Sequence, residues 1–379
     1  MRFAWRGVVC ALLVFCLLLA PGKSLAQPGL LVGIDDDTAK WLVRPNGLHS
    51  VYRDLGVGAV RVSVPWKRGQ TKPTKLQQVY LHRVGLLIGL GERVVLAVYG
   101  PPSQAPTTAR WRDQYCGFLS HITKRLPVRD VVIWNEVNSE SFWPSSSGAE
   151  GYEQLLAQCW DALHIGARRM NVISSTAAKH DPLAFTLSLG SAYRASGRMR
   201  PIVDTFGHNP YPDNSAEAPW ATHSAESQTV GQGDLPSLLG AYDAAFAGTA
   251  QSPPGTGSVT VWYLEDGFQT QVPPALAPLY HGTENDRGLV PALGTGDTGA
   301  LRAGPDQATQ LRNAYQLAYC QPAVGALFNF ELIDESRLVG WQSGLLWRNG
   351  VRKPSYDPFK QTVAGIVSGQ IECAAVPGS

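Results

Sequence analysis

Eight short runs of apolar, mostly β-branched residues recur along the chain, each followed by a stretch of helical character. That rhythm restricts the fold more than any other feature. The runs occupy residues 30–34, 58–64, 93–99, 130–136, 171–176, 201–208, 258–265 and 323–330. They are almost continuously apolar rather than alternating, which is how strands covered on both faces read. The segments between them are amphipathic, several starting at Thr, Ser or Asp and many ending at Gly or before Pro, the usual helix start and stop residues. Eight such βα units predict an α/β fold, a (β/α)8 TIM barrel in a single domain over residues 27–379. Two connections are long, 212–232 after the sixth run and 268–304 after the seventh. Both leave strand C-termini, the face where barrel sites sit, so each is a candidate lid or subsite wall as well as a plain surface loop.

Residues 1–26 stand outside this pattern. Arg2 and Arg6 precede an apolar stretch from Val8 to Ala20, and small Ser24 and Ala26 follow with cleavage-site spacing. This reads as a secretory signal peptide, with an uncleaved anchor as the alternative; the apolar run is short for a membrane span. Loss of Arg2, Arg6 and Lys23 takes the 32 basic side chains to 29 against 30 acidic ones, a net charge of −1. A chain so nearly neutral carries no electrostatic footprint for nucleic acid or for an anionic membrane surface. Four of the 6 cysteines remain after cleavage, Cys116, Cys159, Cys320 and Cys373. In an exported chain an even number favours two disulfides. Three connectivities are open. If consecutive helices are neighbours, Cys116 with Cys159 and Cys320 with Cys373 needs the least chain rearrangement.

The chemistry concentrates at strand ends. The fourth run, VVIWNE, finishes on Asn135 and Glu136, and the seventh, VWYLE, on Glu265. Both acids therefore project into one C-terminal mouth. A lone strand-end Glu is commonly a solvated rim residue; two of them, on the fourth and seventh strands, fit a shared role. The pattern contains no paired-cysteine zinc spacing, no HExxH, no GxSxG elbow and no Gly-rich phosphate loop, so no metal and no organic cofactor is expected. Asp35, Asp36 and Asp37 form an acidic cluster after the first strand, read as a solvated loop or as a holder of ligand hydroxyls or a cation.

With these residues in place the chain resembles clan A of the glycoside hydrolases, retaining β-glycosidases on (β/α)8 barrels, and most of all the family 5 and family 39 types. The resemblance runs from GIDDD at 33–37 to GLLWRNGVRKPSYDPFKQ at 344–361. It implies that Glu136 is the acid/base, Glu265 the nucleophile, and Asn135 a partner of the sugar hydroxyl beside the anomeric carbon. Retaining chemistry needs one carboxylic acid protonated and one ionised, about 5 Å apart. Burial and the charge of Glu265 are expected to raise the pKa of Glu136. Arg61, inside the second strand, is costly unless paired; the resemblance makes it a hydrogen-bond partner of Glu265, and an architectural ion pair is the other reading.

The sixth strand ends FGHNPYP, where many clan members carry His-x-Tyr. Here His208 and Tyr211 are separated by two residues, and Asn209 stands two before the Tyr. Tyr211 is expected to donate to Glu265 and His208 to support the substrate site, packing being the other role open to it. Trp66, Tyr99, Trp143 and Trp341 are candidate stacking platforms for sugar faces. Phe330 occupies the eighth-strand position where such enzymes usually have Trp. The expected partner is a carbohydrate, met outside the cell.

Overall fold

In the computed structural model the described residues are 29–42, 46–166, 169–224, 226–284, 288–293 and 305–379. The expected signal peptide lies outside them, as do parts of the long 268–304 connection. The strands are β1 Leu31–Asp35, β2 Ala59–Pro65, β3 Val94–Tyr99, β4 Asp130–Ile133, β5 Asn171–Ile173, β6 Thr176–Ala177, β7 Phe206–Asn209, β8 Val261–Asp266 and β9 Val324–Phe330. All pair in parallel, in the order β5-β4-β3-β2-β1-β9-β8-β7-β6.

The expected fifth strand is thus two pieces, β5 pairing with β4 and β6 with β7. Ser174 and Ser175 break it, and the gap is stitched by backbone bonds from Asp204 N–H to Val172 C=O at 2.9 Å and from Ser174 N–H to Thr205 C=O at 3.2 Å. The sheet therefore returns on itself through a single interrupted strand. Counted that way there are eight barrel strands, β8 is the seventh of them, and the (β/α)8 fold stands. The sixth strand is shorter than its apolar run because the N–H groups of Ile202 and Val203 donate to Gln251 Oε1 at 2.8 and 3.0 Å, and that of Asp204 serves the junction.

Helices cover the outside: α1 Thr38–Trp41, α2 Asn46–Leu55, α3 Lys75–Gly89, α4 Ala109–Thr123, α5 Gly148–Leu163, α6 Pro182–Ala195, α7 Leu235–Phe246, α8 Gln307–Cys320 and α9 Tyr356–Val367. Their starts follow local chemistry. Thr74 and Gln77 form a reciprocal capping box on α3, and Asp181 caps α6 just before Pro182, whose missing N–H is no loss there. Cys116 of α4 is bonded to Cys159 of the adjacent α5, and Cys320 at the end of α8 to Cys373, with Cα separations of 4.8 and 5.4 Å. No helix among the described residues is long and apolar enough to cross a membrane.

The core has two shells. Ala59, Val95, Ala97, Val132, Ile173, Trp262, Leu264, Ala326 and Phe328 fill the barrel interior. Their sequence neighbours, such as Val60, Leu96, Val131, Ile133, Phe206, Val261, Tyr263 and Leu327, join the larger layer between sheet and helices. Alternation along each strand decides which shell a side chain enters. Gly33 and Gly207 are interior positions with no room for a side chain, since a Cβ would meet the Phe328 ring in the first case, and Ser174 O and Leu264 in the second.

Candidate active site

At both strand ends the regular alternation is broken just before the acid. On β4, Val132 faces the interior and Ile133 the helix layer, so regular alternation would send Trp134 inward. Trp134 instead has φ 65° and joins the outer layer. Its ring meets Trp66, Tyr115 and Trp143 edge-on, and its Nε1–H donates to Phe142 C=O at 2.7 Å. Glu136 has φ 40°. A non-glycine residue in the left-handed region is disfavoured by about 1 kcal/mol or more, so two within three residues persist only where surroundings hold them. Those surroundings are three hydroxyls. Tyr115 accepts from Trp134 N–H at 3.0 Å, Tyr152 donates to Ile133 C=O at 2.8 Å, and Ser175 accepts from Glu136 N–H at 3.1 Å. The backbone groups released when the ladder stops are satisfied, and Asn135 and Glu136 turn into the mouth.

On β8 the device is a bulge. Trp262 and Leu264 face inward, so Glu265 is due to point outward. The register with β9 slips between Tyr263↔Leu327 and Asp266↔Asn329, three steps on β8 against two on β9. The extra residue resets the alternation. Glu265 turns to the mouth, and Asp266 is buried behind it, accepting from Gln232 Nε2 at 2.6 Å with its pKa pushed up by burial to about 7.

The carboxyl groups share a cavity of about 630 Å³ but sit in opposite settings. Glu265 accepts from Arg61 Nη1 at 2.6 Å and from the Tyr211 hydroxyl at 3.3 Å. Arg61 is itself buried, with Nη1 also bonded to Asp35 and Nη2 donating to Asn135 Oδ1 at 3.0 Å. Burial works against its charge, and the Asp35 and Glu265 carboxylates more than restore it. Because Arg61 claims Oδ1 of Asn135, the amide nitrogen of Asn135 is the group left to donate to a ligand. Glu136 has no cation in contact. Its Oε1 accepts from Asn209 Nδ2 at 2.8 Å. Burial, with the nearby charge of Glu265, lifts its pKa to about 7.

Of the residues singled out in the sequence, Glu136, Glu265, Asn135, Tyr211, Tyr99, Phe330 and Trp341 all line this cavity. Tyr211 and Trp341 pack at 4.8 Å between ring centroids, and Phe330 meets Trp341 edge-on at 5.2 Å. Arg61 lies beneath, touching Asn135 and Glu265 rather than the open space. Three expectations need correction. His208 is fully buried on the outward side of β7, between Thr176 Oγ1 at 3.0 Å and Val230 C=O at 2.8 Å, with burial lowering its pKa to about 4. It fastens β7 to its neighbours and does not reach the cavity. Trp66 and Trp143 are core residues, Trp66 donating to Gln70 C=O at 3.0 Å and Trp143 to Gly148 C=O at 2.9 Å. The aspartate cluster is neither solvated loop nor cation holder: Asp35 pairs with Arg61, Asp36 accepts from Tyr52 at 2.6 Å, and Asp37 accepts from Ser63 N–H at 2.8 Å.

Asn209 is the contact to Glu136 that the sequence reading left without a role. Alternation along β7 was the available signal: Phe206 out, Gly207 in, His208 out, Asn209 in. Phe142, Lys179, His180, Asp213 and Gln269 also line the cavity, contributed by loops whose paths no strand pattern encodes.

Similar barrels occur among solved structures. A family 39 glycoside hydrolase from Bacteroides cellulosilyticus WH2 superposes with a TM-score of 0.60 at 15% identity, over 89% of this chain and 64% of that one. A GH5_18 protein from Bifidobacterium longum subsp. infantis gives 0.56 at 14% identity, over 89% and 79%. Fungal β-1,4-galactanase gives 0.57 at 14% identity, over 88% and 99%. No family model and no curated protein sequence matches the chain. At such identities the likeness shows the fold, a (β/α)8 barrel of the kind found in clan A glycoside hydrolases.

Proposed function

We propose that the protein is a secreted, retaining glycoside hydrolase acting on β-linked carbohydrate by double displacement. The observation that carries this reading is one cavity holding two carboxyl groups in opposite settings, Glu265 against Arg61 and Tyr211, Glu136 desolvated with an amide donor alone. In the first step Glu265 attacks the anomeric carbon, the glycosidic C–O bond breaks, and the departing oxygen takes the proton of Glu136. In the second, Glu136 removes a proton from water, which attacks the anomeric carbon and releases Glu265 as a carboxylate. The amide nitrogen of Asn135 donates to the neighbouring sugar hydroxyl, a bond that strengthens as the oxocarbenium character develops. Tyr99, Phe330 and Trp341 offer faces on which the apolar side of a sugar can rest. No step requires a metal or organic cofactor. The two disulfides are in keeping with export. Barrels of this shape serve several sugars, so the fold does not choose among glucan, mannan, xylan and small β-glycosides.

The test is covalent capture. Incubation with an activated 2-deoxy-2-fluoro β-glycoside should add the mass of one fluorosugar, located to the peptide containing Glu265. A chain that binds sugars and takes up no label would be a carbohydrate-binding barrel, and the mechanism would fall.

A further inference from the structure

The connection that leaves β7 contains a second cluster of polar side chains, away from the carboxyl pair. Its centre is His223, whose side chain is only 9% exposed. The Nδ1 of His223 lies 2.7 Å from Asp234 Oδ2. Asp234 is held in turn by the backbone N–H groups of His223 and Gly231, both at 2.8 Å. In the neutral imidazole that bond holds the proton on Nδ1 and leaves a lone pair on Nε2. Against the effect of burial, Asp234, Glu217 and Asp213 raise the ring's pKa, so a metal ion would displace the Nε2 proton of the imidazolium. Among the described residues Nε2 is buried with no hydrogen-bond partner.

What Nε2 faces is two carboxylate oxygens, Glu217 Oε1 at 3.3 Å and Asp213 Oδ2 at 3.8 Å. The other oxygen of each acid is engaged: Glu217 Oε2 accepts from Asp213 N–H at 2.6 Å, and Asp213 Oδ1 from Thr229 Oγ1 at 3.2 Å. Three electron-rich atoms therefore converge, within 4.8 Å of one another. Nε2 and Glu217 Oε1 are within ion-pair distance, yet among the described residues Nε2 forms no hydrogen bond. Ligands about 2.0–2.2 Å from a tetrahedral ion stand roughly 3.3–3.6 Å from each other, close to the spacing seen here. A small void of about 10 Å³ touches both Glu217 and His223.

We propose that Asp213, Glu217 and His223 bind a divalent transition-metal ion, with Asp234 orienting the imidazole from behind. One nitrogen and two carboxylate oxygens suit Zn²⁺ better than Ca²⁺ or Mg²⁺, which take all-oxygen sets. The carboxylate, imidazole, metal sequence is the arrangement by which proteins fix a ligating histidine. Asp213 also lines the large cavity, two residues beyond Tyr211. The ion would pin the chain from 213 to 223 and so set one wall of that cavity. Its role is structural, outside the carboxylate chemistry, and the site stands whether or not the protein cleaves sugars.

Zn²⁺ titration of tag-free, EDTA-treated full-length protein, followed by calorimetry and thermal melting, decides the matter without any turnover assay. One Zn²⁺ per chain is expected, with a rise in Tm of roughly 5 °C at saturating metal. Asp213→Asn, at a side chain about half exposed and so tolerant of change, should weaken Zn²⁺ at least about 100-fold, and Asp234→Asn about 10- to 100-fold. His223→Gln should abolish binding; if that variant misfolds, Asp213→Asn carries the test alone. Absence of one-site uptake, equal affinity in wild type and Asp213→Asn, or stabilisation by Ca²⁺ but not Zn²⁺ would overturn the assignment.

Discussion

The ends of β4 and β8 solve one geometric problem in two ways. Each strand must deliver a polar side chain into the barrel mouth at a position where alternation points the wrong way, Asn135 beside Glu136 on β4 and Glu265 on β8. On β4 two left-handed residues, Trp134 and Glu136, rotate the chain. On β8 one inserted residue shifts the register while the ladder resumes at Asp266. The local chemistry then diverges. The β4 kink is held by neutral hydroxyls from Tyr115, Tyr152 and Ser175, and among the described residues no cation forms an ion pair with Glu136. The β8 bulge sets Glu265 over Arg61. One residue type acquires two settings because the devices that place it bring different neighbours.

The largest effect should come from removing the group that the proposed mechanism makes the nucleophile. Glu265→Ala is expected to lower kcat/KM by on the order of 10⁵ or more. Glu136→Ala should lose about 10²- to 10⁴-fold on unactivated glycosides and far less on dinitrophenyl glycosides, whose leaving group needs no proton. Azide sharpens the contrast. Entering the space vacated in Glu265→Ala it attacks from the nucleophile's side and yields the α-glycosyl azide, whereas in Glu136→Ala it intercepts the glycosyl-enzyme and yields the β-glycosyl azide. The same anomer from both variants would break the assignment of roles.

Stability should divide along the same line. Arg61→Met strands Asp35 and Glu265 as buried carboxylates without their cation, a loss of about 3–5 kcal/mol and a fall in Tm on the order of 10 °C. Glu136→Gln should behave oppositely. A carboxyl whose folded pKa is raised to about 7 from an ordinary 4.5 holds its proton more tightly when folded, so its contribution to stability is lost as pH rises from 4.5 through 7. At pH 8 the neutral amide removes that penalty, and Glu136→Gln should melt at or above wild type. Melting curves at pH 5 and pH 8 check both, and a lower Tm for Glu136→Gln at pH 8 would contradict the environment assigned to Glu136.

What the sequence disclosed follows from the same physics. Buried parallel strands need continuous apolar runs, so the eight βα units were legible, and a charged residue closing or interrupting such a run stands out, so Glu136, Glu265 and Arg61 were too. Facing was harder to read. The break in the fifth strand falls at Ser174 and Ser175, small residues that leave NVISST looking unbroken. Trp66 was offered as a platform because it follows a strand, yet Val60, Val62 and Val64 already place every even position of β2 in the helix layer. His208 drew notice as a titratable group, while the inward neighbour was Asn209. Alternation recovers these two. It does not recover the kink at Trp134 or the bulge before Glu265, which depend on hydroxyls and ladders contributed from elsewhere in the chain, nor the loop residues that wall the cavity.

Asn209 supplies the smallest and most discriminating measurement. Its amide is the one side-chain donor on Glu136, and that bond opposes the rise in pKa caused by burial and Glu265. Wild-type kcat/KM should fall as pH rises through about 7, where free Glu136 gives up the proton it must donate. Removing the donor with Asn209→Ala weakens the charged form alone, so this alkaline limb should move to higher pH. The maximum rate should drop by no more than about tenfold, the scale of one lost hydrogen bond. Asn209→Asp brings a like charge to the same atom and should carry the limb further in the same direction. An alkaline limb that stays in place, or moves to lower pH, would take from Asn209 the part assigned to it, and the division between the two poles would have to be redrawn.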